Sequence, residues 1–189
     1  YYYGNGVPQS YSQAKEYFDI SAIMDNSDAF FQIGNMYYYG DYLEKNYSEA
    51  MNFYVKSANQ GNSKALLKLG DMHFFGINVL QSYQEALNYY KLAAEKDNAD
   101  AYIRLGNIYF YGYGIDQDYS IAKKYYEYAA NQNIPDAFLH LGNLYNFGNG
   151  VEQNYEKAIK YYEQSANYGN SDALFQLGNI NFNGNSVER

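Results

Sequence analysis

Apolar residues return along this chain on two scales. On the short scale they recur every three or four positions, the spacing of one face of an α-helix. In residues 27–39, Ala29, Ile33 and Tyr37 fall within about 80° of one another on a wheel of about 100° per residue, which predicts an amphipathic helix, here termed helix A. In residues 47–59, Tyr47, Ala50, Tyr54, Ser57 and Ala58 share one face and predict a second, helix B. Tyr119, Ala122, Tyr126, Ala129 and Ala130 repeat the helix B set further along. Small alanines beside large tyrosines suit helices that interdigitate at short range.

On the long scale the two-helix pattern returns every 36 residues without insertion or deletion. Gly34, Gly70, Gly106, Gly142 and Gly178 form one column, and Gly4, Gly40, Gly76, Gly112, Gly148 and Gly184 another. Ala29, Ala65, Ala101, Ala137 and Ala173 form a third. The first glycine column lies inside helix A, where Gly costs about 1 kcal/mol relative to Ala, and its recurrence implies a backbone approach too close for a Cβ. The expected fold is all-α, an α-α superhelix of helix-turn-helix repeats in a single array over residues 1–189. A partial repeat at 1–26 is followed by repeats at 27–62, 63–98, 99–134 and 135–170 and by a partial repeat at 171–189.

Local signals fall at the boundaries this period requires. Ser10, Asn46, Ser82, Asp118 and Asn154 precede helix B and can cap its free amides, and Glu85 completes a capping-box pattern with Ser82. Asp25, Gly61, Asp97, Asn133 and Gly169 follow helix B and tolerate the left-handed conformation that ends helices. Pro135 stands where a helix A should begin, a position that suits proline.

With these columns in view, the unit resembles the Sel-one-like repeat (SLR), a tetratricopeptide-like family. The matching stretches are Ala101–Gly106, Tyr109, Gly112-Tyr113-Gly114-Ile115, Ala122, Tyr125-Tyr126 and Ala129-Ala130, with Leu141-Gly142, Gly148–Val151, Ala158 and Tyr161-Tyr162 in the next repeat. Tyr42 and Asn78 replace the second loop glycine, so those two loops are expected to differ in shape. A plain tetratricopeptide array has a 34-residue period and a shorter turn. The resemblance implies a non-catalytic scaffold or adaptor whose helix A lines a concave surface that holds a peptide or protein. It leaves open a structural spacer in a larger assembly, or an SLR-type enzyme or small-molecule binder such as a β-lactam hydrolase.

Composition narrows the partners. The net charge of −8 disfavours nucleic acid and anionic lipid surfaces. No apolar run reaches the roughly 18 residues of a membrane span, so no membrane insertion is expected. The chain has no Cys, which excludes disulfides, thiolate metal sites and Cys nucleophiles. No metal site, cofactor or catalytic residue is expected. Of the two histidines, His73 occupies the recurrent tyrosine position of helix A as a core aromatic, and His140 shares an outer polar column with Gln32, Lys68, Arg104 and Gln176. Tyrosines fill the layers between helices and should point their hydroxyls outward. Asn46-Tyr47-Ser48 forms a glycosylation sequon, but capping explains Asn46 better.

The partner face is expected on helix A, away from the contact within the repeat. Phe31, Asn35, Tyr38 and Tyr39 lie about 180–280° from Ala29 on the wheel. Their counterparts include Asp71, Phe74 and Phe75; Asn107, Phe110 and Tyr111; Asn143, Asn146 and Phe147; and Asn179 and Phe182. The Asn and Asp column is expected to hydrogen-bond a partner's backbone and the aromatics to take its side chains. Neither end looks like the polar cap a solenoid needs, so the functional object is expected to be a longer array or a larger complex.

Overall fold

The computed structural model of the protein describes residues 10–183. Members of the columns at Gly4 and Gly184, and the terminal segments expected to be uncapped, lie outside them. Among the described residues there are ten helices and no strand: α1 (Tyr11–Ile23), α2 (Ser27–Tyr39), α3 (Tyr47–Asn59), α4 (Ser63–Phe75), α5 (Tyr83–Ala94), α6 (Ala99–Tyr111), α7 (Tyr119–Asn131), α8 (Pro135–Phe147), α9 (Tyr155–Asn167) and α10 (Ser171–Phe182). Even-numbered helices are type A, odd-numbered ones type B. Two compact units result, Tyr1–Asn98 and Ala99–Arg189.

Helix B begins and ends for local reasons. Ser10, Asn46, Ser82, Asp118 and Asn154 each accept a first-turn amide with a side-chain oxygen. The capping box at Ser82 is only half made. Its backbone N–H donates to the His73 carbonyl, and Asn46, Asp118 and Asn154 likewise donate to the carbonyls of Tyr37, Tyr109 and Tyr145. This bond ties the end of helix A to the start of helix B in every full repeat. Asp25, Gly61, Asp97, Asn133 and Gly169 all have positive φ after helix B, and Pro135 opens α8. One loop expectation is corrected: Tyr42 (φ 68) and Asn78 (φ 62) take the same left-handed conformation as Gly114 (φ 69) and Gly150 (φ 67). The loop geometry therefore persists without glycine, despite the roughly 1 kcal/mol penalty of a left-handed non-glycine residue.

The core is a column per repeat. Ile33, Leu69, Leu105 and Leu141 are fully buried, and so are Met36, Met72, Ile108 and Leu144. Helix B contributes Ala50, Ala86, Ala122 and Ala158 with Tyr54, Tyr90, Tyr126 and Tyr162, none of which has exposed surface. The approach that the helix A glycines permit is made by these rings rather than by backbone. A Cβ on Gly34 would lie 2.7 Å from the Tyr54 ring, and one on Gly70 or Gly142 2.5 Å from Tyr90 or Tyr162.

Candidate functional site

Each glycine is followed by Asn or Asp, and that residue receives the hydroxyl of the ring the glycine admits. Tyr54 donates to Asn35 Oδ1 (2.9 Å), Tyr90 to Asp71 (2.8 Å), Tyr126 to Asn107 (2.8 Å) and Tyr162 to Asn143 (2.8 Å). These hydroxyls point inward, correcting the expectation that they face solvent. Burial raises the Tyr126 and Tyr162 hydroxyls well above the ordinary tyrosine range, so they remain protonated donors. The Asn and Asp column thus has one acceptor site filled from within the repeat. Asn35 is buried, and its Nδ2 donates to Gln32. Asn107 and Asn143 show no hydrogen bond from Nδ2 among the described residues.

Other residues of the expected face divide by depth. Phe31 is buried against Tyr54 (centroids 5.8 Å apart) in a cluster with Ala65 and Leu69 of the next repeat, so its ring belongs to the core and not to an open face. Tyr38, Phe74 and Phe110 are half-buried and meet Tyr47, Tyr83 and Tyr119 of helix B edge-on at 5.2 Å. The next residue in each case is open: Tyr39, Phe75 and Tyr111 are 53%, 62% and 55% exposed, and Phe147, which follows Asn146 at the same place in the repeat, is 62% exposed. Each of the first three leans edge-to-face on its half-buried neighbour, at 5.0, 4.9 and 4.8 Å. Lys68 sits over Tyr38 and Tyr39 (5.3 and 5.4 Å) and donates to the Tyr39 hydroxyl. Phe182 is 91% exposed.

Two sequence-expected residues converge. Asn146 and Asn179 line a recess of about 230 Å³ with Phe147, Gln153, Tyr155, Gln176, Ile180 and Asn183. Gln153 braces it by donating to the Asn146 carbonyl (2.8 Å). The recess is carboxamide-rich with apolar walls, a lining that can satisfy a peptide backbone and admit a side chain.

The histidines are structural in setting. His73 stacks on Tyr89 (5.4 Å), as Tyr37 stacks on Phe53, Tyr109 on Tyr125 and Tyr145 on Tyr161 (5.7 Å each). His140 is not an outer polar residue. It stacks on Tyr126 at 4.6 Å, and burial lowers its pKa although Asp136 opposes this. Among the described residues no group of three His, Cys, Asp or Glu could hold a metal, and no helix is long and apolar enough to cross a membrane.

Antiparallel helix pairs, each locked by one Gly, Asn or Asp, and Tyr set, define an α-solenoid repeat protein. The Sel1 repeat model matches residues 1–26, 27–62, 63–98, 99–134, 135–170 and 171–189, and the chain belongs to that family, whose members commonly act as protein-interaction scaffolds. It is similar to a Sel1 repeat protein from Oxalobacter formigenes (32% identity, TM-score 0.90, 95% of this chain and 73% of that one). It is also similar to c5321, a protective antigen present in uropathogenic Escherichia coli strains displaying an SLR fold (32% identity, TM-score 0.86), covering 98% of this chain and 40% of that one. A third likeness is Helicobacter pylori cysteine rich protein B (27% identity, TM-score 0.53, 69% of this chain and 93% of that one). No curated protein matches the chain.

Proposed function

We propose that the protein is a non-catalytic scaffold that binds a peptide or protein segment on the helix A face. The observation that carries this reading is the row of more than half-exposed aromatics at one repeat position, Tyr39 and Phe75 in one unit and Tyr111 and Phe147 in the other. A ring exposed once needs no explanation, but recurrence at a fixed position within each unit makes a patterned apolar surface of the kind enriched at interface centres. Half-buried Tyr38, Phe74 and Phe110 hold three of these rings in place, which lowers the entropy lost on binding. Beside Phe147, Asn146 and Asn179 offer carboxamides to a bound backbone. Asn35, Asp71, Asn107 and Asn143 chiefly fix tyrosines, and Phe31 belongs to the core, so the exposed row is the better place to test. Replacing Tyr111 and Phe147 together with Ser should abolish capture of the partner held by the unaltered protein while leaving the helical CD signal intact. Undiminished capture by the folded variant would overturn the proposal.

A further inference from the structure

The net charge is −8, yet the second unit gathers its lysines in one part. All four lysines of residues 99–189, Lys123, Lys124, Lys157 and Lys160, lie on α7 and α9. Three of them surround the stacked pair Tyr145 and Tyr161. Lys157 Nζ lies 5.1 Å from the Tyr145 ring centre and Lys123 Nζ 5.9 Å. Lys157, Lys160, Gln164 and the two tyrosines line a cavity of about 420 Å³. Two of the lysine charges are already matched. Lys123 pairs with Glu127 at 3.2 Å and Lys160 more loosely with Glu156 at 3.7 Å. Lys157 has no carboxylate partner among the described residues.

Around Tyr161 the packing of this repeat departs from that of the repeats 27–62 and 99–134. Where Gln164 stands, Lys56 covers Phe53 (5.1 Å) in the repeat 27–62, and Tyr128 packs on Tyr102 (5.5 Å) and Tyr125 (6.5 Å) in the repeat 99–134. Phe30 and Tyr102 also lean on Phe53 and Tyr125, at 6.4 and 6.5 Å, whereas their counterpart Phe138 stacks on Tyr168 instead. Both covers are thus missing over Tyr161. The charge differs as well: Glu49 and Glu85 hold the place of Lys157 with opposite charge, and Ile121 holds it with none.

We propose that this cavity is a second binding site, distinct from the helix A face, which takes a carboxylate side chain of an acidic peptide segment. The carboxylate would be held by Lys157 with Lys160 beside it, and the adjoining apolar stem would lie on the Tyr145–Tyr161 pair. One unmatched ammonium suits a monoanion. A phosphate dianion would call for a guanidinium fork or a set of converging amides, and the cavity lining contains no arginine.

The test is an NMR titration of the whole chain with the acetylated, amidated peptide Gly-Glu-Phe-Glu-Gly and with its counterpart carrying Gln for both Glu. The Glu peptide should shift the Lys157 ε-methylene and Tyr145 ring signals, and the Gln peptide should not. Lys157→Gln should weaken binding about tenfold, the scale of one lost charge-assisted hydrogen bond. Gln164→Tyr, which restores the cover that Tyr128 provides elsewhere, should block the site. Both positions are on the surface, and the amide spectrum reports folding. Equal binding of the Gln peptide, or full binding by both folded variants, would overturn the proposal. So would displacement of the peptide by an equal concentration of inorganic phosphate.

Discussion

Gly142→Ala and Gly178→Ala make the same chemical change in the same repeat column, and they are expected to act with opposite sign. Each removes a helix-interior glycine, which by itself should stabilise by up to about 1 kcal/mol. At Gly142 the new Cβ would meet Cδ1 and Cε1 of Tyr162 at 2.5 Å, where ordinary contact begins near 3.4 Å. Ring or backbone must therefore retreat by about 0.9 Å. The ring has nowhere to go, being fully buried in a cluster with Ala158, Ala173 and Ile180. Overpacking of this kind costs about 1–3 kcal/mol, and a displaced ring also loses most of its bond to Asn143, worth about 1 kcal/mol. The net expectation is a loss of about 2 kcal/mol at Gly142. At Gly178 no atom of the described residues lies within 4 Å of the new Cβ, so the helix gain of up to about 1 kcal/mol is expected to stand alone. Because arrays of repeats melt segment by segment, the assay is amide hydrogen exchange read helix by helix. Protection of α8 and α9 should fall in Gly142→Ala, and that of α10 should rise in Gly178→Ala. Tyr162→Leu should remove much of the Gly142→Ala penalty when the two are combined. Equal gains in protection from both alanines would refute the glycine and tyrosine argument.

Three further outcomes are expected. Tyr126→Phe leaves Asn107 Oδ1 without its donor and should destabilise by about 1 kcal/mol in urea unfolding, with little change in packing. Ser165→Ala should cost about 1 kcal/mol by the same assay, because the buried Ser165 hydroxyl donates to the Pro135 carbonyl at 2.7 Å. His140→Gln should reduce the loss of thermal stability between pH 7.5 and 5.5. Burial lowers the pKa of His140 from 6.5, so the unfolded chain takes up the proton first. Stability is therefore complete above about pH 6.5 and falls as the pH drops through the lowered value. An unchanged pH dependence in the variant would show that His140 is not the group responsible.

The sequence revealed the repeat because its signals are local or strictly periodic. A cap such as Asn46 or a left-handed residue such as Asn133 is decided by the backbone beside it, so its type alone is informative. The tyrosine hydroxyls were harder to read. Asn35 and Tyr54 meet across two helices, and the only linear trace is a spacing of 19 residues that recurs from Asp71 to Tyr90, Asn107 to Tyr126 and Asn143 to Tyr162. A helical wheel misplaced Phe31 because it measures direction against one neighbour. A solenoid helix has two buried faces, and the next repeat covers the second. His140 leaves its outer polar column for the same reason, since the ring it stacks on belongs to α7 of the preceding repeat. Exposure of the last aromatic of each helix A depends on where the helix ends. Gly40, Gly76 and Gly148 turn the chain with left-handed φ immediately after Tyr39, Phe75 and Phe147.

The most direct test of the scaffold reading is site-specific photo-crosslinking in the native source. A benzophenone amino acid would be placed at Phe75, at Phe147 and, as a control on helix B, at the half-exposed Leu92. Binding on the helix A face should give a discrete adduct from 75 or from 147 and none from 92. An adduct from position 92 with none from 75 or 147 would contradict it.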